Sequence, residues 1–111
     1  MSHESVYAAV APHVPCCHME WPAGKEPTVP FACYLLDYER GIGADDASAA
    51  YKRKWMVELY EKRRDKALEK ALGDSLRAAF GPVRRDEQWI ENDNLLQVVY
   101  TFYEIEGETD G

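Results

Sequence analysis

The sequence predicts an α+β fold in which a mainly antiparallel sheet of about five strands is packed by two helices. Three long runs, residues 31–38, 51–60 and 95–105, are rich in the aromatic, β-branched and other apolar residues that favour strands. One charged segment with helical spacing, residues 65–80, divides these runs into two sets. The predicted order of elements is α-β-β-β-α-β-β.

The length and composition indicate one globular domain. The chain has 111 residues, of which 46% are hydrophobic, and this is enough to form a single core. We expect this domain to occupy residues 1–106 and residues 107–111 to form a flexible acidic tail. No apolar run approaches the roughly 20 residues that cross a bilayer, and residues 1–5 do not begin a signal peptide. We therefore expect no membrane partner and synthesis in the cytosol.

The cysteine content and the net charge argue against two further classes of protein. The three cysteines, Cys16, Cys17 and Cys33, are odd in number and two are adjacent, which is a poor basis for a disulfide framework. We expect reduced thiols. The formal charge of -7 argues against general binding to nucleic acid, because that binding needs a surplus of lysine and arginine on at least one face.

The first half of the chain predicts one short helix, two strands and a loop. A helix is predicted over residues 5–10, with Ser2 as a candidate N-cap. Residues 16–21 predict a short strand, and the prolines that follow predict an extended connection. Residues 31–38 are nearly all apolar, which suits a central strand covered on both faces. Residues 39–50 contain several glycines and aspartates and predict a mobile loop between two strands.

The strand predicted over residues 51–60 alternates strongly. The residues expected to face the core are Tyr51, Arg53, Trp55, Val57 and Leu59. At about 3.3 Å per residue such a strand is longer than usual, so we expect one end to project and to be available to a partner. Residues 83–91 and 95–105 predict a hairpin, because the Asn and Asp residues between them favour a turn.

The helix predicted over residues 65–80 carries an apolar stripe and ends at a Gly-Pro pair. The stripe consists of Leu68, Leu72, Leu76 and either Ala79 or Phe80. Glu69 is placed among the charged residues outside this stripe. Asp65 is expected to cap the start of the helix. Gly73 is interpreted as tolerated in the helix, in preference to marking a close approach to another backbone.

Two cysteine-containing features have chemical potential, but a structural role explains each better. His13, Cys16, Cys17 and His18 carry soft ligands, yet their spacing matches no common zinc pattern. Cys33 lies in the most apolar strand, where a buried thiol is inert. We therefore expect no metal, no cofactor and no catalytic residue, and we interpret the chain as a protein that is not an enzyme.

Three further patterns point away from nucleotide and nucleic-acid sites. The Gly41-Ile42-Gly43 segment lacks the rest of a phosphate-binding loop and is interpreted as a flexible turn. The basic runs at residues 52–54 and 62–64 lie beside acids, which indicates a solvated or intersubunit face. Aromatic residues such as Trp55 and Tyr100 alternate along strands beside valines, which is typical of a core and not of nucleobase stacking.

Short blocks of residues occur in a recognisable order along residues 14–106. They are Pro30-Phe31-Ala32-Cys33-Tyr34, Ala44-Asp45-Asp46 leading to Tyr51, Val57-Glu58-Leu59-Tyr60, Asp65 with Leu68-Glu69 and Leu72, Trp89-Ile90-Glu91, and Leu96-Gln97-Val98-Val99-Tyr100. Together these blocks resemble the small tail terminator and head-tail joining proteins of long-tailed bacteriophages and prophages. The adjacent Cys16 and Cys17 and the alanine-rich loop depart from the family's pattern.

The resemblance implies a structural subunit of the virion that needs no cofactor. Proteins of this family cap the tail tube as a ring, end its polymerisation and present a surface to the head connector. The implied partners are further copies of the chain in a ring, expected to be a hexamer, the major tail tube protein, and a head connector or stopper protein. Genome DNA would pass through the lumen without specific binding, after assembly in the host bacterial cytoplasm. The alternatives are another neck component, such as a stopper or an adaptor, and a monomeric binding module without catalytic activity.

A ring built from one polypeptide needs two different complementary patches on each subunit. We expect an arm over residues 38–51 to provide one of them. The predicted interface residues are Tyr38, Arg40, Ile42, Tyr51, Lys52 and Arg53. The residues predicted to face the lumen or the DNA are Asp45, Asp46, Glu106 and Glu108, because carboxylates repel phosphates. The alternative is that the negative charge only maintains solubility.

Overall fold

A five-stranded sheet with two helices on one face forms the domain in the computed structural model. The structure describes residues 2–22, 24, 25, 27–42 and 50–107. Its elements are α1 (Ser2–Val10), β1 (Cys16–His18), β2 (Phe31–Ile42), β3 (Ala50–Glu61), α2 (Lys66–Phe80), β4 (Val83–Ile90) and β5 (Leu95–Gly107). This order confirms the predicted α+β class and the predicted succession of elements. The first helix begins at Ser2 and not at residue 5, so Ser2 lies within the helix and is not its N-cap.

The strands lie in the order β1-β2-β3-β5-β4. β1 pairs with β2 in parallel, and the other three pairs are antiparallel, including the predicted β4–β5 hairpin. The prediction of a strand over residues 16–21 is wrong for its second half, because β1 ends at His18. Met19 has a φ of 69°, a left-handed conformation that takes the chain out of the extended strand.

The core lies between the helices and one face of the sheet. The strand residues that form it include Trp55, Val57 and Leu59 of β3 and Val98, Tyr100 and Phe102 of β5. The helices contribute Val6 and Val10 of α1 and Leu72 and Leu76 of α2. Alternate positions of the two long strands are thus buried, as the period of two predicts. Burial of these large side chains supplies the main free energy of folding.

Helix α2 is rotated slightly from the predicted stripe. Glu69, Leu72, Gly73 and Leu76 are its buried residues, whereas Leu68 is only partly buried. The prediction that Glu69 lies outside the buried stripe is therefore wrong. An added Cβ at Gly73 would lie 3.3 Å from Cε2 of Tyr100, so the glycine permits a close approach between the helix and an aromatic ring of β5.

The start of α2 is capped as predicted. Oδ1 of Asp65 accepts a hydrogen bond from the backbone N–H of Leu68 at 3.0 Å. We expect Asp65→Ala to lower the free energy of unfolding by about 0.5–2 kcal/mol, because the alanine leaves this N–H without its acceptor. Urea denaturation checks the value, with Asp65→Asn as the control, since asparagine keeps a capping oxygen and removes only the charge. Equal stability of the Asp65→Ala variant and the wild type would contradict the capping role.

The segment between β2 and β3 contains more strand than predicted. β2 continues to Ile42 and pairs with β3 through Tyr38↔Lys54, Arg40↔Lys52 and Ile42↔Ala50. The prediction of a loop is therefore wrong for residues 39–42 and 50, and the rest of that loop lies outside the described residues. A salt bridge of 2.6 Å between Glu39 and Arg53 stabilises the extension. We call the part of the sheet formed by residues 38–42, 50–54 and 103–107 the arm.

Candidate assembly surface

The face of the sheet opposite the core carries none of the described helices. We call it the open face. Its centre contains Leu35 and Met56, which pair across β2 and β3, and Val99 of β5, which pairs with Glu58; all three aliphatic residues are half-buried. The expectation that β2 is covered on both faces is only partly correct. The face with Ala32 and Tyr34 packs into the core, whereas on the open face Cys33 is buried but Leu35 is only half-buried. A half-buried aliphatic surface of this kind is a common feature of protein interfaces.

A chain of hydrogen bonds crosses the open face beside these aliphatic residues. Nε2 of Gln88 donates to Oε1 of Gln97 at 2.6 Å, and Nε2 of Gln97 donates to the hydroxyl of Tyr60 at 2.9 Å. That hydroxyl donates in turn to Oε1 of Glu58 at 3.0 Å. Burial and the neighbouring Glu58 carboxylate raise the pKa of Tyr60 to about 12, so the phenol stays protonated and both bonds persist. The network fixes four side chains from three strands.

The arm end of the open face is basic and aromatic. Nζ of Lys52 lies 4.5 Å from the ring centroid of Tyr103, and the guanidinium of Arg40 lies 5.2 Å from that of Tyr38. Lys54 forms a 3.3 Å salt bridge with Asp37, which lies at a register shift in β2. We call this surface the basic end, and it consists of Tyr38, Arg40, Lys52, Lys54 and Tyr103. Ile105, which pairs with Lys52, is 64% exposed beside it.

The opposite end of the open face forms an acidic groove of about 770 Å³. Its carboxylates are Glu20, Glu58 and Asp93. Aromatic rings form its walls: the ring centroid of Phe31 lies 5.4 Å from that of Tyr60 and 6.1 Å from that of Trp21, which it meets edge-on. The groove has no lysine, arginine or histidine among the described residues that line it. It therefore presents negative charge on an apolar floor, and we call it the acidic groove.

The structure brings together only part of the predicted interface. Tyr38, Arg40 and Lys52 meet at the basic end. Tyr51 and Arg53 alternate with Lys52 and belong to the other face of the sheet. Arg53 bridges Glu39 and Glu104, both in the arm, at 2.6 and 3.5 Å. Ile42 pairs with Ala50 at the last register position of the two strands.

Most of the residues predicted to face the lumen fall beyond the structure. Asp45, Asp46 and Glu108 lie outside the described residues. Glu106 belongs to β5, where it pairs with Tyr51 in the arm. The arm therefore carries one of these four positions, and the assignment of all four to a lumen remains a prediction.

The histidine and cysteine cluster of the sequence does not form a metal site in the part of the chain that the structure describes. Cys16 and Cys33 are both buried free thiols. Burial raises the pKa of Cys16 to about 12 and that of Cys33 to about 11, so both remain protonated at neutral pH and are poor nucleophiles. His18 instead packs against His3, with ring centroids 4.5 Å apart.

Among the residues that the structure describes, neither helix has the length and apolar character of a membrane span.

Sequence reasoning missed a buried pair of glutamates between β3 and α2. Glu61 is 1% exposed and Glu69 is 4% exposed. Oε1 of Glu69 accepts from Nη1 of Arg64 at 3.2 Å and from Nη2 of Arg85, while Oε1 of Glu61 accepts from the backbone N–H of Asp65 at 3.1 Å. The Oε2 atoms of the two glutamates have no donor among the described residues. The sequence did contain a signal that Glu69 faces inward. It lies three residues before Leu72 and seven before Leu76, a spacing that places these side chains on one face of the helix.

A shared proton satisfies this pair. The Glu61 carboxyl lies within hydrogen-bonding reach of Glu69, and two oxygens that only accept cannot bond until one carries a proton. Burial first, and then the neighbouring Glu69 carboxylate, raise the pKa of Glu61 to about 8. Glu61 is therefore protonated at neutral pH, beside the Glu69 side chain that the two arginines bind.

Comparisons with known proteins identify a similar fold in a virion. No family model matches the chain, and no curated protein matches it either. Among solved structures, a chain in the virion of a native gene transfer agent (GTA) particle aligns with a TM-score of 0.55 and 14% identity. The alignment covers 93% of this chain and 84% of that chain. The protein thus has the same fold as a chain of that gene transfer agent virion.

Proposed function

We propose that the chain is a structural subunit of a phage-like virion and that it forms the tail terminator ring. In this role it would cap the tail tube, end tube polymerisation and join the tube to the head connector. The observation that carries the proposal is the open face, a half-buried sheet surface with a basic end and an acidic groove at its two ends. The shared fold with a chain of a gene transfer agent virion supports it.

The open face suits assembly because a ring requires two different surfaces on each subunit. Heterologous contacts join one patch to another, and they close when the rotation between subunits is fixed. The basic end and the acidic groove are two such patches, and they differ in charge. The hydrogen-bonded network includes Tyr60 and Glu58 of the acidic groove and keeps these side chains in one conformation, which lowers the entropy that is lost on association.

The proposal assigns the chain no catalytic role and no cofactor. Its partners would be further copies of itself, in a ring of six, together with the tail tube protein below and a head connector or stopper above. Genome DNA would pass through the lumen, repelled by the carboxylates of Asp45, Asp46, Glu106 and Glu108. Assembly would take place in the cytoplasm of the host bacterium.

Mass photometry and negative-stain electron microscopy test the proposed ring. We expect the purified chain, with tail tube protein present, to form annular particles at the end of tubes. Tyr103→Ala should reduce ring formation at least about tenfold, because Tyr103 is an aromatic side chain 42% exposed on the open face. Tyr7→Ala is the matched control, since Tyr7 is 48% exposed on α1, away from that face.

Two outcomes would contradict this proposal. Monomers alone at every concentration, both with and without tube protein, would exclude the ring. Rings that bind only proteins on the head side, and never the tube, would identify a different neck component. Labelling the chain in purified particles distinguishes these outcomes, because a terminator must give density at the upper end of the tube.

A further inference from the structure

We propose that the basic end of one copy binds in the acidic groove of a neighbouring copy. This inference rests on the proposed ring and names the contact that would close it. Its occupant is a second copy of this chain, presented through Arg40, Lys52 and Lys54. The argument is one of charge complementarity between two surfaces on the same face of the sheet.

The two surfaces are too far apart to meet within one subunit. Lys52 and Tyr60 lie eight residues apart on β3, which is roughly 26 Å at about 3.3 Å per residue in a strand. This part of the sheet is continuous, with β2 and β5 paired on either side of β3. A continuous sheet does not fold onto itself over such a distance. The groove of one copy is therefore available only to the basic end of another.

Most charges on the two surfaces lack opposite partners among the described residues, the exception being Lys54, which forms a 3.3 Å salt bridge with Asp37. Neither Arg40 nor Lys52 has a described carboxylate within 4.0 Å; each lies over a tyrosine ring instead. In the groove, Glu20, Glu58 and Asp93 form no salt bridge with any described residue. Contact between the two surfaces would pair these charges, and it would also offset the repulsion between subunits whose formal charge is -7.

The apolar parts of the two surfaces are complementary as well. The basic end presents the rings of Tyr38 and Tyr103, and the groove presents those of Trp21, Phe31 and Tyr60. Lysine and arginine side chains bind well over such rings, since the cation interacts with the ring face. The groove, at about 770 Å³, has room for several of these side chains. An arm that contributes both cations and tyrosines fits an acidic groove with aromatic walls.

Charge reversal tests the contact. One variant carries Lys52→Glu and Lys54→Glu, and a second carries Glu58→Lys and Asp93→Lys. Each alone is expected to form rings at least about tenfold less well than the wild type, because like charges then meet at the contact. A mixture of the two variants should restore rings in which they alternate, since every contact in such a ring joins opposite charges. Thermal melts monitored by circular dichroism establish that each variant is folded.

The matched control for the variant with Lys52→Glu and Lys54→Glu carries Lys62→Glu and Lys66→Glu, the same change in net charge at exposed positions outside the open face. It should assemble as the wild type does. Rings that persist in both reversed variants, or folded variants that assemble no better when mixed, would overturn the contact and leave the proposed ring intact. A dimer with two-fold symmetry would support the contact and overturn the ring, if either charge reversal abolishes the dimer and mixing the two variants restores it. A wild-type chain that remains monomeric would overturn both.

Discussion

The Glu61→Gln variant is expected to lose the alkaline destabilisation of the wild-type protein. Glutamine places a neutral group at the position of the protonated Glu61, with an oxygen to accept from the Asp65 N–H and an amide to donate towards Oε2 of Glu69. The variant therefore reproduces the protonated pair at every pH. Its free energy of unfolding should stay nearly constant where that of the wild type falls.

The direction of this fall follows from the pKa of Glu61. Folding raises that pKa from 4.5 to about 8, so the folded state holds the proton more tightly than the unfolded chain does. The stabilisation is complete below pH 4.5 and disappears as the pH rises through 8. The wild-type free energy of unfolding should therefore decrease across this window, by at most roughly 1.4 kcal/mol per pH unit.

Urea denaturation at several pH values between 5 and 8.5 checks this prediction, with reductant present to protect the thiols. Glu58→Gln is the control, because it changes a carboxylate on the same strand that faces the open face. The control should retain the wild-type slope with pH. Parallel curves for Glu61→Gln and the wild type would show that the buried pair does not share a proton.

The Leu72→Ala variant is expected to lose about 2–5 kcal/mol of unfolding free energy. Leu72 is fully buried in the core between α2 and the sheet, and its truncation removes apolar contacts and leaves a cavity. For a domain of this size that loss is a large part of the total stability. Urea denaturation with a fixed m-value measures it.

Leu68→Ala is the matched control for this prediction. Leu68 occupies the preceding turn of α2 and is only partly buried, so the same change should cost clearly less. The comparison separates core burial from helix propensity, because both positions exchange leucine for alanine within one helix. Equal losses at Leu68 and Leu72 would contradict the observed orientation of α2.

The core of the fold was predictable because strand periodicity is a local property. Trp55, Val57 and Leu59 alternate with more polar residues, and this pattern alone determines which face is buried. The stripe of α2 was predicted less well. Leu68 and Glu69 are neighbours on the helix, and the residue that packs inward is the charged one, because Arg64 and Arg85 neutralise it from two other segments. No local pattern reports such partners.

The candidate assembly surface depended on a feature that the sequence does not show. Strict alternation from Phe31 would place Tyr38 on the core face with Ala32 and Tyr34. A register shift at Asp37 changes the phase of β2, so Tyr38 pairs with Lys54 and joins the open face. The sequence predicted Tyr38 and Lys52 as interface residues, which stays a prediction, but the two meet at the basic end only because of that shift.

The shortness of β1 has a consequence for aggregation. At one border of the sheet β1 pairs with only residues 32–34 of β2, so the border continues along residues 35–42 of β2. The other border is β4, with eight residues and the charged run of Arg84, Arg85, Asp86 and Glu87. A fibril that grows by strand addition needs a full-length unpaired backbone on both borders of every molecule. The charged side chains of β4 oppose such addition at their border, so they guard one of the two borders that a fibril would need.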